Sequence, residues 1–186
     1  MNKQLIKLAE TTLLILEKKS WHSIKINEVY KKTKINKKKS QDKVSTKHDL
    51  LQNINHYFDF KLCNTADSID QSTHKDMIFE VIMMRFDILQ IHRKPIIRIF
   101  EFFKKKPQEL VFLLPSLIES MISMAGLAKI PVVGIKGNLK IKGLLVIYFS
   151  SFLVWLKDNS ESLEKTMMSL DNHLDKAGKL LSIIKI

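Results

Sequence analysis

The stretch INEVYKKTKINKKKSQDKVSTKHDLL, residues 26–51, decides how the chain is read. Ile26, Val29 and Tyr30 recur at helical spacing, so they give one apolar face to a short helix ending near Thr33. Lys34, Ile35 and Asn36 follow, and Asn36 suits an N-cap because its side-chain oxygen accepts from the free amides of a first turn. Lys37 to Lys43 is almost wholly polar, so a helix there has little to bury. Thr46 with Asp49 three residues on is an aspartate version of the capping box. It opens a helix over about 46–64 whose apolar stripe is Leu50, Leu51, Ile54, Tyr57, Phe58 and Leu62.

Upstream, residues 3–19 gather Leu5, Leu8, Ala9, Thr12, Leu13, Ile15 and Leu16 on one face, with Trp21 and Ile24 placed to plug the junction to the next helix. Three short helices, the third basic and poor in apolar groups, describe a helix-turn-helix unit, whose recognition helix must keep one face free for the major groove. Lys37, Lys38, Lys39, Ser40, Gln41 and Lys43 suit that role. Lysines attract phosphate and donate to guanine, Gln41 can read an adenine edge, and Ser40 serves either purpose. The same composition also fits a solvated loop or helix.

Charge placement favours a polyanion partner. The chain carries a net +12, and residues 1–51 hold thirteen Lys against five Asp or Glu, so two thirds of the excess sits in the first quarter. A generally lysine-rich surface is the competing explanation. Cys63 is the single cysteine, which rules out an intramolecular disulfide and a thiolate metal cage and fits a reduced, cytoplasmic setting. No signal-like apolar core follows Met1, and the longest charge-free apolar run, 143–156, falls short of the roughly 20 residues that span a bilayer, so no integral membrane segment is expected.

Beyond a polar linker at 64–73, helical periodicity resumes at Met77. Pro95 and Pro107 are placed to open helices, Pro115 to kink or break the apolar run 110–127, and Gly126, Pro131, Gly134 and Gly137 mark a loop. Two helices complete the chain, about 139–157 and about 160–184, the second capped by Ser160. The expectation is an all-α protein of about nine helices. A three-helix head over 1–51 precedes a helical body over 52–186 for ligand binding and dimerisation.

The spacing from Val29 through Ile35 and Asn36 to Lys47, Leu50 and Leu51 resembles the TetR family of transcriptional regulators, in which a hydrophobic second helix, a turn, a recognition helix and a Lys-x-x-Leu-Leu helix start recur without a gap. Trp21 matches a position after the first helix. The resemblance implies that Asn36 caps the recognition helix, that Lys37, Lys39, Gln41 and Asp42 face DNA, and that Lys47 touches a phosphate. Three positions depart from the pattern: Lys34 stands where glycine is usual at a positive-φ turn, Gln41 where tyrosine is usual, and Val44 where phenylalanine is usual. The segments MMRFDILQIHR at 83–93, VWLKDNS at 154–160 and KTMMSLDNHL at 165–174 are similar to a subset of α-proteobacterial TetR-like proteins. That subset resembles the lipid-binding accessory proteins of ubiquinone biosynthesis. Two functions follow from the resemblance: a regulator, a repressor in kind, that answers to an apolar small molecule, or a lipid or isoprenoid carrier with a vestigial head.

Catalysis has little support. The histidines at 22, 48, 56, 74, 92 and 173 include no pair four apart on one helical face, no glycine-rich phosphate loop occurs, and neither catalytic residue, metal nor cofactor is expected. Cys63 reads as a buried or linker thiol. Met84, Phe86, Phe100, Phe103, Met121 and Met124 are candidates to line an apolar ligand cavity, with ordinary core packing as the alternative. Arg85, His92 and Arg93 are candidates for polar recognition there. The apolar residues of 143–156 are spread round the helix, so a partner copy is the economical cover and a homodimer is expected. On the family pattern its contacts are Leu145, Phe149, Phe152, Trp155, Leu163, Met167, Leu170 and Leu174. Membrane association is the competing use of such a face.

Overall fold

A computed structural model describes residues 1–35, 44–66, 69 and 72–183, with side chains as far as residue 179. Eight α-helices and two 3-10 turns, and no strand, occur among the described residues. The helices are α1 Lys3–Leu16, α2 Ile26–Thr33, α3 Lys47–Thr65, α4 His74–Ile91, α5 Arg93–Lys105, α6 Leu114–Leu127, α7 Gly134–Trp155 and α8 Glu164–Ile183. The 3-10 turns are Trp21–Ser23 and Pro107–Phe112. The all-α expectation is met. The helix expected at 37–43 lies outside the described residues.

Backbone proximity divides the chain into two compact units, one of Met1–Lys61 with Ile88–Leu117 and one of Leu62–Asp87 with Ile118–Ile186. In the first, Asn2 caps α1 by accepting from the Leu5 amide at 2.9 Å, and Leu8, Ala9, Leu13 and Leu16 are buried. Trp21 and Ile24 fill the corner where the chain turns into α2. The α1 helix packs on α2 and α5. Arg98 of α5 donates to the Leu16 and Lys19 carbonyls, supplying a basic side chain to the open C-terminus of α1.

In the second unit α7 packs on α8. Phe86 stacks on Tyr148 and Trp155 at ring separations of 5.5 and 6.3 Å, and Met121 and Met124 of the same unit are completely buried. Burying each such side chain is worth about 1.5–3 kcal/mol, so this cluster holds α4, α6 and α7 together.

Three boundaries differ from the sequence reading. The apolar run 110–127 is divided: Pro107–Phe112 is a 3-10 turn, and Pro115 is the second residue of α6, where its missing amide costs nothing. The α7 helix starts at Gly134, five residues earlier than expected. Gly134 enters it at φ +68°, and Gly137 lies in its first turn so close to the Val132 backbone that a Cβ would overlap the carbonyl group. These glycines permit close approach and do not break the helix. Ser160 does cap α8, accepting from the Glu164 amide at 3.1 Å, but the helix begins at Glu164.

Candidate functional site

The turn after α2 is left-handed at Lys34, φ 55° and ψ 25°, which is the conformation that makes glycine usual at such a position. Ile35 ends the described part of the head, and Val44 resumes it. The Tyr30 hydroxyl of α2 donates to the Val44 carbonyl at 2.9 Å, and Val44 itself is buried. Burial, then the charge of Asp49, pushes the Tyr30 phenol pKa up. Lys37, Lys38, Lys39, Ser40, Gln41, Asp42 and Lys43, the residues singled out for DNA contact, lie outside the described residues.

The start of α3 follows the capping-box expectation in detail. Asp49 accepts from the Ser45 and Thr46 amides, each at 2.8 Å, and from the Ser45 hydroxyl at 2.9 Å, while Thr46 Oγ1 accepts from the Asp49 amide at 3.1 Å. Partial burial works against the Asp49 carboxylate, but these hydrogen bonds outweigh it and lower its pKa. Lys47 turns inward: its ammonium donates to the Trp21 and His22 carbonyls at 3.3 and 2.7 Å. Burial lowers its pKa, and Lys106 adds to the effect. An ammonium has three donors, so one remains. Lys47 thereby borders an open cleft of about 780 Å³ with His22, Ser23, Lys25, Asn27 and Ser45. Lys25, Asn27 and Ser45 escaped the sequence reading because they carry no periodic signal and meet only through the fold.

The six candidate cavity residues are divided between the two units. Phe86, Met121 and Met124 are closed core of the second unit, and Met84 is half-buried. Phe103 is buried and Phe100 half-buried in the first unit, where Lys104 lies over the Phe100 ring. A cavity of about 640 Å³ in the second unit is walled instead by Ile78, Ile130, Val132, Leu144, Ile147 and Leu174 among others, and none of the six lines it. The Arg85 guanidinium is buried, donating to the Tyr148 and Ser120 hydroxyls at 3.2 and 3.4 Å. His92 lies beside Tyr57 and Phe58 in the first unit, where burial lowers its imidazole pKa.

Of the eight candidate dimer contacts, Trp155, Leu163, Leu170 and Leu174 are buried within their own unit. Leu145, Phe149 and Phe152 are half-buried, and Met167 is exposed. The outward apolar residues of α7 are instead Ile135, Leu139, Val146 and Leu153, recurring at helical spacing. The helix is apolar on all sides, so sequence alone does not choose its inner face. At 22 residues and a mean hydropathy of 1.3, α7 is also long and apolar enough to cross a membrane by length and composition, contrary to the reading of 143–156 alone. Its Tyr148, Ser151 and Trp155 nonetheless face the core. Cys63 is exposed on α3, with its sulfur 3.6 Å from the Ser123 hydroxyl. Among the described residues no group of three His, Cys, Asp or Glu is arranged to hold a metal.

These elements define an all-α, TetR-like fold. The structure is similar to the crystal structure of a TetR transcriptional regulator from Nitrosomonas europaea ATCC 19718, with a TM-score of 0.73 and 17% sequence identity over 95% of this chain and 99% of that one. No protein-family model matches the sequence, and no curated protein matches it.

Proposed function

We propose that the protein is a TetR-like DNA-binding transcriptional regulator, a cytoplasmic homodimer that represses its target and answers to an apolar small molecule. The observation that carries the proposal is the shared fold with a TetR transcriptional regulator across 95% of the chain, joined to a lysine excess concentrated in its first 51 residues. In this assignment residues 1–51 are the DNA-binding head and 52–186 the ligand and dimer body. Lys37, Lys38, Lys39, Ser40, Gln41, Asp42 and Lys43 meet the major groove, and the third donor of Lys47 meets a phosphate. The left-handed turn at Lys34 and the Tyr30 to Val44 hydrogen bond, on either side of those residues, support the assignment.

The outward stripe Ile135, Leu139, Val146 and Leu153 supports the dimer, because a second copy would cover apolar surface that its own unit leaves exposed. Two heads then contact successive major grooves about 34 Å apart, and a ligand that changes their separation weakens binding. The test is a salt titration of binding to genomic fragments from upstream of the protein's own coding sequence. Affinity should fall steeply between about 50 and 200 mM salt, as counterion release requires. No binding to duplex DNA at low salt would sink the proposal.

The second unit's apolar cavity favours a rival assignment, a lipid or isoprenoid carrier of ubiquinone biosynthesis with a vestigial head. Native mass spectrometry separates the two: a co-purifying lipid together with no duplex binding favours the carrier.

A further inference from the structure

The cavity of the second unit has a lining of uneven chemistry. Its walls are aliphatic: Ile78 from α4, Ile130 and Val132 from the 128–133 connection, Leu144 and Ile147 from α7, and Leu174 from α8. Its polar lining residues are His74, Lys75, Lys140 and Lys176, and no Asp or Glu is among them. Lys75 is already neutralised by Asp171 and Asp175 at 2.8 and 2.5 Å. Lys140 gives one long hydrogen bond to the Pro131 carbonyl, 3.4 Å, and neither it nor Lys176 forms an ion pair among the described residues. Two lysines that form no ion pair among the described residues therefore border an apolar space.

Two glycines keep that space open. Gly143 lies inside α7 and Gly178 inside α8, and each lines the cavity with nothing within 4 Å of where a Cβ would stand. Glycine in a helix interior costs roughly 0.5–1 kcal/mol relative to alanine. No close contact requires glycine at either position, so a side chain there would cost no overlap and would narrow the cavity. At about 640 Å³ the space lies within the range of about 300–1,000 Å³ usual for small-molecule sites.

We propose that this cavity binds a long-chain fatty-acid carboxylate, its chain against Ile78, Leu144, Ile147 and Leu174 and its head between Lys140 and Lys176. Aliphatic walls without a Phe, Tyr or Trp suit a saturated chain better than a planar ring, and lysines without an ion-pair partner select an anionic head over a neutral or cationic one. The proposal deepens the ligand part of the regulator assignment and rests on it for biological meaning, but binding is measured without DNA, so each can fail alone.

The experiment is calorimetry of the full chain with palmitate and with hexadecanol, which has the same chain and no charge. Wild type should bind palmitate at one site per chain and more tightly than hexadecanol. Replacing both lysines, Lys140→Glu with Lys176→Glu, should weaken palmitate about tenfold, the loss of two modest charge pairs, and leave hexadecanol within about twofold. Gly143→Leu should weaken both ligands together while the melting temperature holds or rises, which separates filling the cavity from unfolding the helix. No palmitate binding by wild type overturns the proposal, as does an equal loss of both ligands in the lysine variant. Capture only by phosphatidylglycerol vesicles, with no free palmitate bound, would likewise overturn it in favour of a membrane surface. A wild type that binds palmitate yet never binds duplex DNA would refute the regulator and leave the site standing.

Discussion

The turn that leads into α3 and the turn that leads into α8 face the same problem, free amides at a helix start, and both answer it with an aspartate. Asp49 takes its donors from Ser45 and Thr46, immediately before it, and stays half-exposed. Asp158 is fully buried, and it accepts from the Ser160 amide and hydroxyl and from the Thr166 amide and hydroxyl, eight residues on. The first is a local cap that any isolated helix could carry. The second closes a loop, so it binds the end of α7 to the start of α8 and belongs to the core. Burial of an ionised carboxylate is tolerated only when donors surround it, and there the four donors do so.

The difference between the two predicts unequal consequences. Asp158→Ala leaves the buried amide and hydroxyl of Thr166 without their acceptor, and it should destabilise the protein by about 3 kcal/mol. Denaturant unfolding followed by fluorescence checks this, because Trp155 lies in the second unit and Trp21 in the first. A loss below about 1 kcal/mol would mean that the buried carboxylate does not join the two helices. For Asp158, burial alone would raise the pKa, yet the hydrogen bonds from Ser160 and Thr166 hold it well below the usual carboxylate range. A carboxyl whose folded pKa is depressed contributes stability above its unfolded value, about 4, and loses it as pH falls toward the folded one. Acid unfolding of the wild type should therefore begin below about pH 4, and the Asp158→Ala variant should lose part of that dependence.

Asp49→Ala removes a helix cap at a half-exposed position and should cost about 1 kcal/mol, read from the same unfolding curves through Trp21. An effect as large as that at Asp158 would break the distinction between a local cap and a core clasp.

How far each device was legible follows from its span. Thr46 and Asp49 are three residues apart, so a spacing rule finds them. Nothing in the order of residues joins Asp158 to Thr166, and the sequence offers Ser160 as the cap on its own because only the near partner is visible. The same limit explains α7. Its apolar residues cover the whole circumference, so the sequence revealed a buried helix without revealing that Trp155 turns inward and Val146 outward. The types of Phe86, Met121 and Met124 suit a cavity wall, but adaptable side chains fill a core equally well, and the second unit's apolar cavity is lined mainly by ordinary aliphatic residues with two glycines among them. The head was the more readable region, since its turn at Lys34 was marked by the very residue that does not suit it.

That turn supplies the smallest effect and a contrast of sign. Lys34, at the exit of α2, and Leu163, just before α8, are both left-handed, at φ 55° and 53°. A side chain in this conformation costs roughly 1–2 kcal/mol, and glycine removes that cost while adding about 0.5–1 kcal/mol of backbone entropy lost on folding. Lys34 is exposed, so no packing is forfeited, and Lys34→Gly should stabilise the protein by about 0.5 kcal/mol. At Leu163 the same exchange would also remove a side chain that is only 1% exposed, and lost burial of about 2 kcal/mol would outweigh the relief. The strain at Lys34 is therefore open to removal and that at Leu163 is held in place by the core. A Lys34→Gly protein that melts below the wild type would show that the lysine side chain makes a contact worth more than its backbone strain.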